Sequence, residues 1–286
     1  MRSLTPFVGL ATPVAVGVLL WSAAAEPLSQ GEELANSQHG ASITLSDNDA
    51  WRGVDARGSL STAVGRFTGT KVCTAAIVVH PRIIVTAGHC IAGSDGSASR
   101  SKSIFHLTKG EGTNLYPFEA TVWALGSRQL LTAQSAAEAA SDWAILILDR
   151  VPFGIRPLRL QTTSTAELTQ LERQVMLPSY GIDATGALSL GVDPTCSVRG
   201  LVWNVLLHNC KASPGASGAP LLIRYRQWYA VVGIHTGSMW ASDEQGHIAK
   251  PIGNSASSSW SFSDALVALA RRLDGDAPHD VAQHGH

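Results

Sequence analysis

Three short stretches each set a reactive side chain against a run of β-forming residues: TAGHC at 86–90, SDWAIL at 141–146 and GASGAP at 215–220. They supply His89, Asp142 and Ser217, in that order along the chain. A serine hydroxyl is a weak nucleophile at neutral pH. It attacks an acyl carbon only with a base beside it, and that base needs a carboxylate to orient it and to stabilise its cation. Each stretch alone is commonplace, since a lone histidine, an aspartate before a strand and a Gly-Ser turn all have bland structural uses. Their joint occurrence points to hydrolysis of an acyl bond through an acyl-enzyme.

The elements that must position these groups are short and β-rich. CTAAIVV at 73–79, RIIVTA at 82–87, DWAILIL at 142–148, RQVMLPSY at 173–180, SVRGLVWNVLLH at 197–208, PLLIRY at 220–225 and WYAVVGIH at 228–235 all read as strands. Twenty-seven glycines and thirteen prolines punctuate them with turns. The alanine-rich segment Ala133 to Ala140 predicts a helical turn leading into Asp142. FSDALVALARRLDG predicts one C-terminal helix, with Leu266, Leu269 and Leu273 on one face, Ser263 as its cap and Gly275 as its stop.

The first 25 residues carry an early Arg2, an uncharged apolar run and a small-residue site at Ala23 to Ala25, which reads as an export signal cleaved to leave Glu26. An uncleaved anchor is the alternative, against which Pro6, Pro13 and the alanine site speak. Residues 26–50 read as a polar leader or pro-segment, and 275–286, with His279, His284 and His286, as a disordered tail rather than a metal site. A composition of 45% hydrophobic and 15% charged residues with formal net charge -1 suits a globular protein and offers nucleic acid or an acidic membrane no attraction.

Export gives the four cysteines meaning, because oxidising compartments let disulfides persist. Counting leaves three pairings. The expected ones are Cys73–Cys90 and Cys196–Cys210, each closing a short loop. Zinc is the competing account, but no C-x2-C or H-x3-H spacing supports it.

Together the three stretches resemble the motif set of the chymotrypsin-like (trypsin-like) serine peptidases: histidine in TAGHC, aspartate opening a D-x-A-L strand, which reads DWAIL here, and serine in G-x-S-G-x-P. The likeness takes in Cys90 with Cys73, HNCKASPGASGAPLL at 208–222 and VVGIHTG at 231–237, and spans Val64 to Gly237. It looks most like the bacterial branch of secreted glutamyl endopeptidases. The α/β-hydrolase elbow G-x-S-x-G does not fit, because Ala219 fills its last glycine position and the histidine precedes the serine.

The resemblance implies an all-β fold of two six-stranded antiparallel β-barrels with a C-terminal helix, over residues 51–274, with the barrels meeting near 150–160. It implies a serine endopeptidase acting on polypeptides as a monomer, without cofactor or metal, and free of the membrane once the signal is cleaved. Ser217 would attack the scissile carbonyl, His89 would take and return the proton, and Asp142 would hold the imidazole. The oxyanion would rest on the amides of Gly215 and Ser217.

In trypsin-like zymogens a new N-terminus pairs with an aspartate just before the serine, a place held here by Ala216. The substitution argues against that switch, leaving Pro214, local packing and the Cys196–Cys210 bridge to shape the loop. By resemblance, His235 in GIHTG, with Thr236 and Gly237, lines the pocket for an acidic residue before the scissile bond. Ser213, with Ala212, stands near the place of an expected serine or threonine, and Lys211 is a weaker contributor. The reading of a different class is a secreted, protease-like binding protein that has lost hydrolysis. The complete set of His89, Asp142 and Ser217 speaks against it.

Overall fold

The computed structural model describes residues 52–53, 63–92, 102–108, 115–126, 136–162, 174–182, 188–224, 228–242 and 248–275. The expected signal (1–25), the leader (26–50) and the tail beyond Gly275 lie outside the described residues.

The first barrel is built from β2 (Val64–Thr68), β3 (Val72–Ile77), β4 (Ile83–Thr86), β5 (Ser103–Thr108), β6 (Leu115–Leu125) and β7 (Ala144–Leu148). They close in the order β2-β3-β4-β7-β6-β5, every pairing antiparallel. Alternation decides the inside. In β5, Ser103, Phe105 and Leu107 are buried while Ile104, His106 and Thr108 are only partly covered, as a pleated strand with one buried face requires. Phe67, Phe105, Ile84, Ile145 and Leu146 are fully buried in this core, each contributing about 1.5–3 kcal/mol of burial.

The second barrel uses β9 (Gln174–Ile182), β10 (Leu188–Val202), β11 (Val205–His208), β12 (Pro220–Arg224), β13 (Tyr229–Ser242) and β14 (Ile248–Ser258). The order β10-β11-β14-β13-β12-β9 closes through antiparallel pairing of β9 with β10. Two short strands lie outside this ring: β1 (Arg52–Gly53) pairs with β10, and β8 (Arg159–Leu160) pairs in parallel with β13. The two six-stranded barrels are those expected. The chain leaves the first after Leu148 and enters the second at Gln174, with β8 on the way.

Two local expectations need correction. The run 197–208 is a hairpin rather than one strand: β10 and β11 meet at Trp203 and Asn204, whose φ values of 50° and 64° give the left-handed pair that a tight two-residue hairpin demands. The continuous apolar run masked this turn. Ser263 starts the helix α2 (Ser263–Gly275) but is not its hydroxyl cap, since its Oγ donates to the Trp260 carbonyl at 3.5 Å. A 3₁₀ turn at Ser259–Ser261 runs almost directly into α2, and Ser258 caps that turn by accepting from Trp260 N–H. Leu266 and Leu269 of α2 join the first-barrel core with Phe262 and Trp143.

Candidate active site

β4 ends at Thr86, and a 3₁₀ turn over Gly88–Cys90 turns His89 out of the barrel. A Cys73–Cys90 disulfide ties this turn to β3. The short helix α1 (Ala136–Ala140) delivers Asp142, which is 2% exposed, to the start of β7. Asp142 grips His89 twice: Oδ1 accepts from the His89 backbone N–H at 2.9 Å, and Oδ2 lies 2.7 Å from Nδ1. A carboxylate only accepts, so Nδ1 carries the hydrogen and Nε2 keeps its lone pair for a proton from elsewhere.

Ser217 is the second residue of the latter of two consecutive tight turns. Ala216 N–H donates to Ser213 O at 2.9 Å around Pro214–Gly215, and Ala219 N–H donates to Ala216 O at 2.9 Å around Ser217–Gly218. Both turns place a glycine third, Gly215 at φ 105° and Gly218 at φ 82°, the positive φ that type II turns need. Gly218 also leaves no room for a Cβ, which would fall 2.1 Å from Thr86 Oγ1 and 2.2 Å from Thr74 O.

The loop is fastened to both barrels. Thr74 N–H of β3 donates to Ser217 O at 2.8 Å and Thr74 Oγ1 donates to Gly215 O at 2.8 Å. From β13, His235 O accepts from Gly218 N–H and His235 N–H donates to Ala219 O, both at 2.8 Å. Among the described residues the amides of Gly215 and Ser217 have no hydrogen-bond partner. Ala216, fully buried, packs where an aspartate would need a counter-charge.

Ser217 and His89 both adjoin the Cys73–Cys90 bridge. Ser217 O lies 4.0 Å from Cys90 Sγ, and a His89 ring nitrogen lies within 4.8 Å of both sulfurs. These three side chains resemble a metal-ligand set in spacing alone, because both sulfurs are consumed by the disulfide and neither is a thiolate. The second disulfide joins Cys196 to Cys210. It anchors the segment before the serine loop, where Lys211 N–H donates to Asp193 Oδ2 at 2.9 Å.

His235 is 3% exposed and does not stand alone: its Nδ1 lies 3.1 Å from Nε2 of His208, itself 1% exposed. Cys210 N–H donates to His208 Nδ1 at 3.3 Å. His208 therefore carries its hydrogen on Nε2 and gives it to His235 Nδ1, which leaves His235 an N–H donor at Nε2. Burial pushes the pKa of His208 down to about 4. Burial, then the neighbouring His208 and His89, holds His235 well below the usual range. Both rings are neutral at neutral pH. Thr236 Oγ1 pairs with Ser255 Oγ at 2.8 Å, and Ser255 Oγ donates to Gly237 O, so these residues build the wall behind His235. Ser213 Oγ is buried and without a partner among the described residues.

Sequence reading missed Thr74 and His208. Nothing local marks either one, since Thr74 is an ordinary residue of a hydrophobic strand and His208 the end of another.

A family model described as Trypsin-like peptidase domain matches residues 73–234. No curated protein sequence matches the chain. Among solved structures the chain is similar to a Glu endopeptidase in complex with MPD, with 19% identity, a TM-score of 0.56, and coverage of 78% of this chain and 98% of that one. At that identity the likeness bears on the fold.

Proposed function

Because the chain belongs to the trypsin-like peptidase family, we propose that it is an active serine endopeptidase with Ser217 as nucleophile, His89 as general base then acid, and Asp142 as the carboxylate behind the histidine. The observation that carries this reading is the double grip of Asp142 on His89, at 2.9 and 2.7 Å, beside a serine loop with two amides unengaged among the described residues. In the reaction Ser217 Oγ bonds to the scissile carbonyl carbon while its proton passes to His89 Nε2. The carbonyl oxygen takes up charge against the Gly215 and Ser217 amides, and the amine leaves with the proton from His89. Water then repeats the sequence on the acyl-enzyme.

An acidic residue before the scissile bond is the substrate we favour. A neutral His235 held by His208 presents an N–H donor without a buried charge, which suits a carboxylate, and a Glu endopeptidase is among the similar structures. Export fits the same reading, since two disulfides require an oxidising compartment. No helix among the described residues is long and apolar enough to cross a membrane.

A fluorophosphonate probe tests the core claim. It is expected to label the protein at Ser217 and to leave Ser217→Ala unlabelled and unable to cleave a mixed peptide library. Failure of the folded wild-type protein both to label and to cleave would leave the non-hydrolysing binding protein as the better account. The same library, read for the residue before each cut, tests acidic preference. N-terminal sequencing of the exported protein tests cleavage after Ala25.

A further inference from the structure

The serine loop borders a second polar feature that catalysis as proposed does not use. Across three neighbouring strands, His106 of β5, Arg66 of β2 and Thr74 of β3 are direct antiparallel partners: Arg66 pairs with His106 on one side and with Thr74 on the other. Direct partners share a face and stand about 5 Å apart at Cβ. The intervening residues Phe67, Cys73 and Phe105 point into the core, so the row lies on the outside of the barrel. Its Thr74 end touches Gly215.

Tyr180 of β9 lies along this row. Its backbone N–H donates to Thr74 Oγ1 at 2.9 Å, and its hydroxyl sits 3.3 Å from Oγ1 of Thr108, two residues beyond His106 on the same face of β5. Arg66 makes no ion pair among the described residues, and its Nε is buried without a hydrogen-bond partner. Nδ1 of His106 is buried and unpartnered in the same way. Burial, and behind it the charge of Arg66, lowers the pKa of His106, so the row carries its positive charge on Arg66 alone. A guanidinium cannot shed that charge. Such a group, walled by Tyr180 and offering donors without an acceptor, is complementary to one ligand chemistry above others, the planar carboxylate.

We propose that the Arg66 guanidinium, with His106 beside it and the paired hydroxyls of Tyr180 and Thr108 behind them, forms a subsite for a carboxylate of the peptide on the leaving-group side of the scissile bond. This rests on the peptidase reading for its place in the reaction. Thr74, where the row begins, holds the serine loop from the first barrel, and His235 of β13 holds it from the second, so an acyl half bound at His235 leaves the first-barrel side to the leaving half. The carboxylate comes from an acidic side chain or from the free C-terminus of a short substrate.

The test uses quenched peptides with one constant residue before the cut and Asp or Glu set against Asn or Gln at each of the next three positions. A further pair ends in a free acid or an amide. Wild-type enzyme is expected to favour the acid at one of these positions by about tenfold in kcat/KM, chiefly through KM, and the position identifies the source. In Arg66→Gln the acid-to-amide ratio collapses toward one, and Arg66→Lys restores part of it. Equal cleavage of acid and amide peptides by wild type, or a ratio that survives Arg66→Gln, overturns the subsite.

Binding of the same peptides to Ser217→Ala separates this proposal from the one beneath it. Salt-sensitive selection of the acid by that inert protein supports the subsite even where wild type cleaves nothing, and its absence there counts against the subsite alone.

Discussion

The hydroxyl of Thr74 donates to the carbonyl of Gly215 at 2.8 Å, so a strand of the first barrel orients the peptide that follows the candidate oxyanion glycine in the second. That peptide is held at both ends, because its N–H, on Ala216, donates to Ser213 O. Among the described residues the Gly215 amide itself makes no hydrogen bond. The buried alanine at 216 offers an inserted terminus no partner for an ion pair.

Thr74→Val keeps the shape and removes this donor. Turnover is expected to fall by about 10- to 100-fold, below or near the loss of one oxyanion donor, with KM little changed and Thr74→Ser recovering most of it. Steady-state kinetics on the three proteins check this. Equal kcat for Val and Ser would show that the hydroxyl does not position the loop.

Asp142→Asn leaves the side-chain shape but can offer an N–H where His89 Nδ1–H needs an acceptor. The imidazole is then free to take the wrong tautomer, and kcat is expected to drop by about 10⁴. Turnover normalised to folded enzyme measures it, and a loss under about tenfold removes Asp142 from the mechanism.

Gly218→Ala places a methyl within 2.2 Å of both Thr86 Oγ1 and Thr74 O at a φ of 82°. Gly154→Ala, at φ 75° but in open space, meets only the backbone penalty. The first is expected to cost about 2–4 kcal/mol and the second about 1 kcal/mol. Urea unfolding midpoints compare them, and similar losses would mean that crowding around Ser217 is not what selects glycine there.

The buried histidine pair makes stability depend on pH. His208 titrates at about 4 when folded against 6.5 when free, so between these values the unfolded chain binds more protons. Stability is therefore full above about pH 6.5 and is lost as pH falls toward 4, by up to about 3 kcal/mol for this residue. Denaturant midpoints at pH 7, 5.5 and 4.5 should fall in that order, with a shallower decline in His208→Gln. A flat profile would mean that the pair is not kept neutral.

His208→Phe fills the same space but gives His235 Nδ1 no hydrogen. His235 Nε2 is then no longer obliged to be a donor, and selection for Glu over Gln before the scissile bond should weaken by about tenfold or more. The ratio of kcat/KM for the two peptides reports it. An unchanged ratio would show that acid recognition, where present, does not pass through His208.

The sequence by itself determined what depends on neighbours along the chain. The β-strands around His89, Asp142 and Ser217 follow from apolar alternation and turn residues. The loop around Ser217 was legible because Pro214, Gly215 and Gly218 write its two turns directly. The helix at 263–275 announced itself by period, though its start did not, because a 3₁₀ turn capped by Ser258 runs into it. The hairpin at Trp203 and Asn204 was hidden, since a tryptophan in a left-handed turn carries no turn signal.

The tertiary structure decided the rest. Thr74 meets Gly215, His208 meets His235, and Arg66 stands between Thr74 and His106 only because strands distant in sequence pair in one register. A shift of one residue in that register would turn each of these side chains to the opposite face. Burial, which keeps the two histidines neutral and leaves Arg66 Nε without an acceptor among the described residues, is likewise a property of closed barrels and of no single stretch of chain.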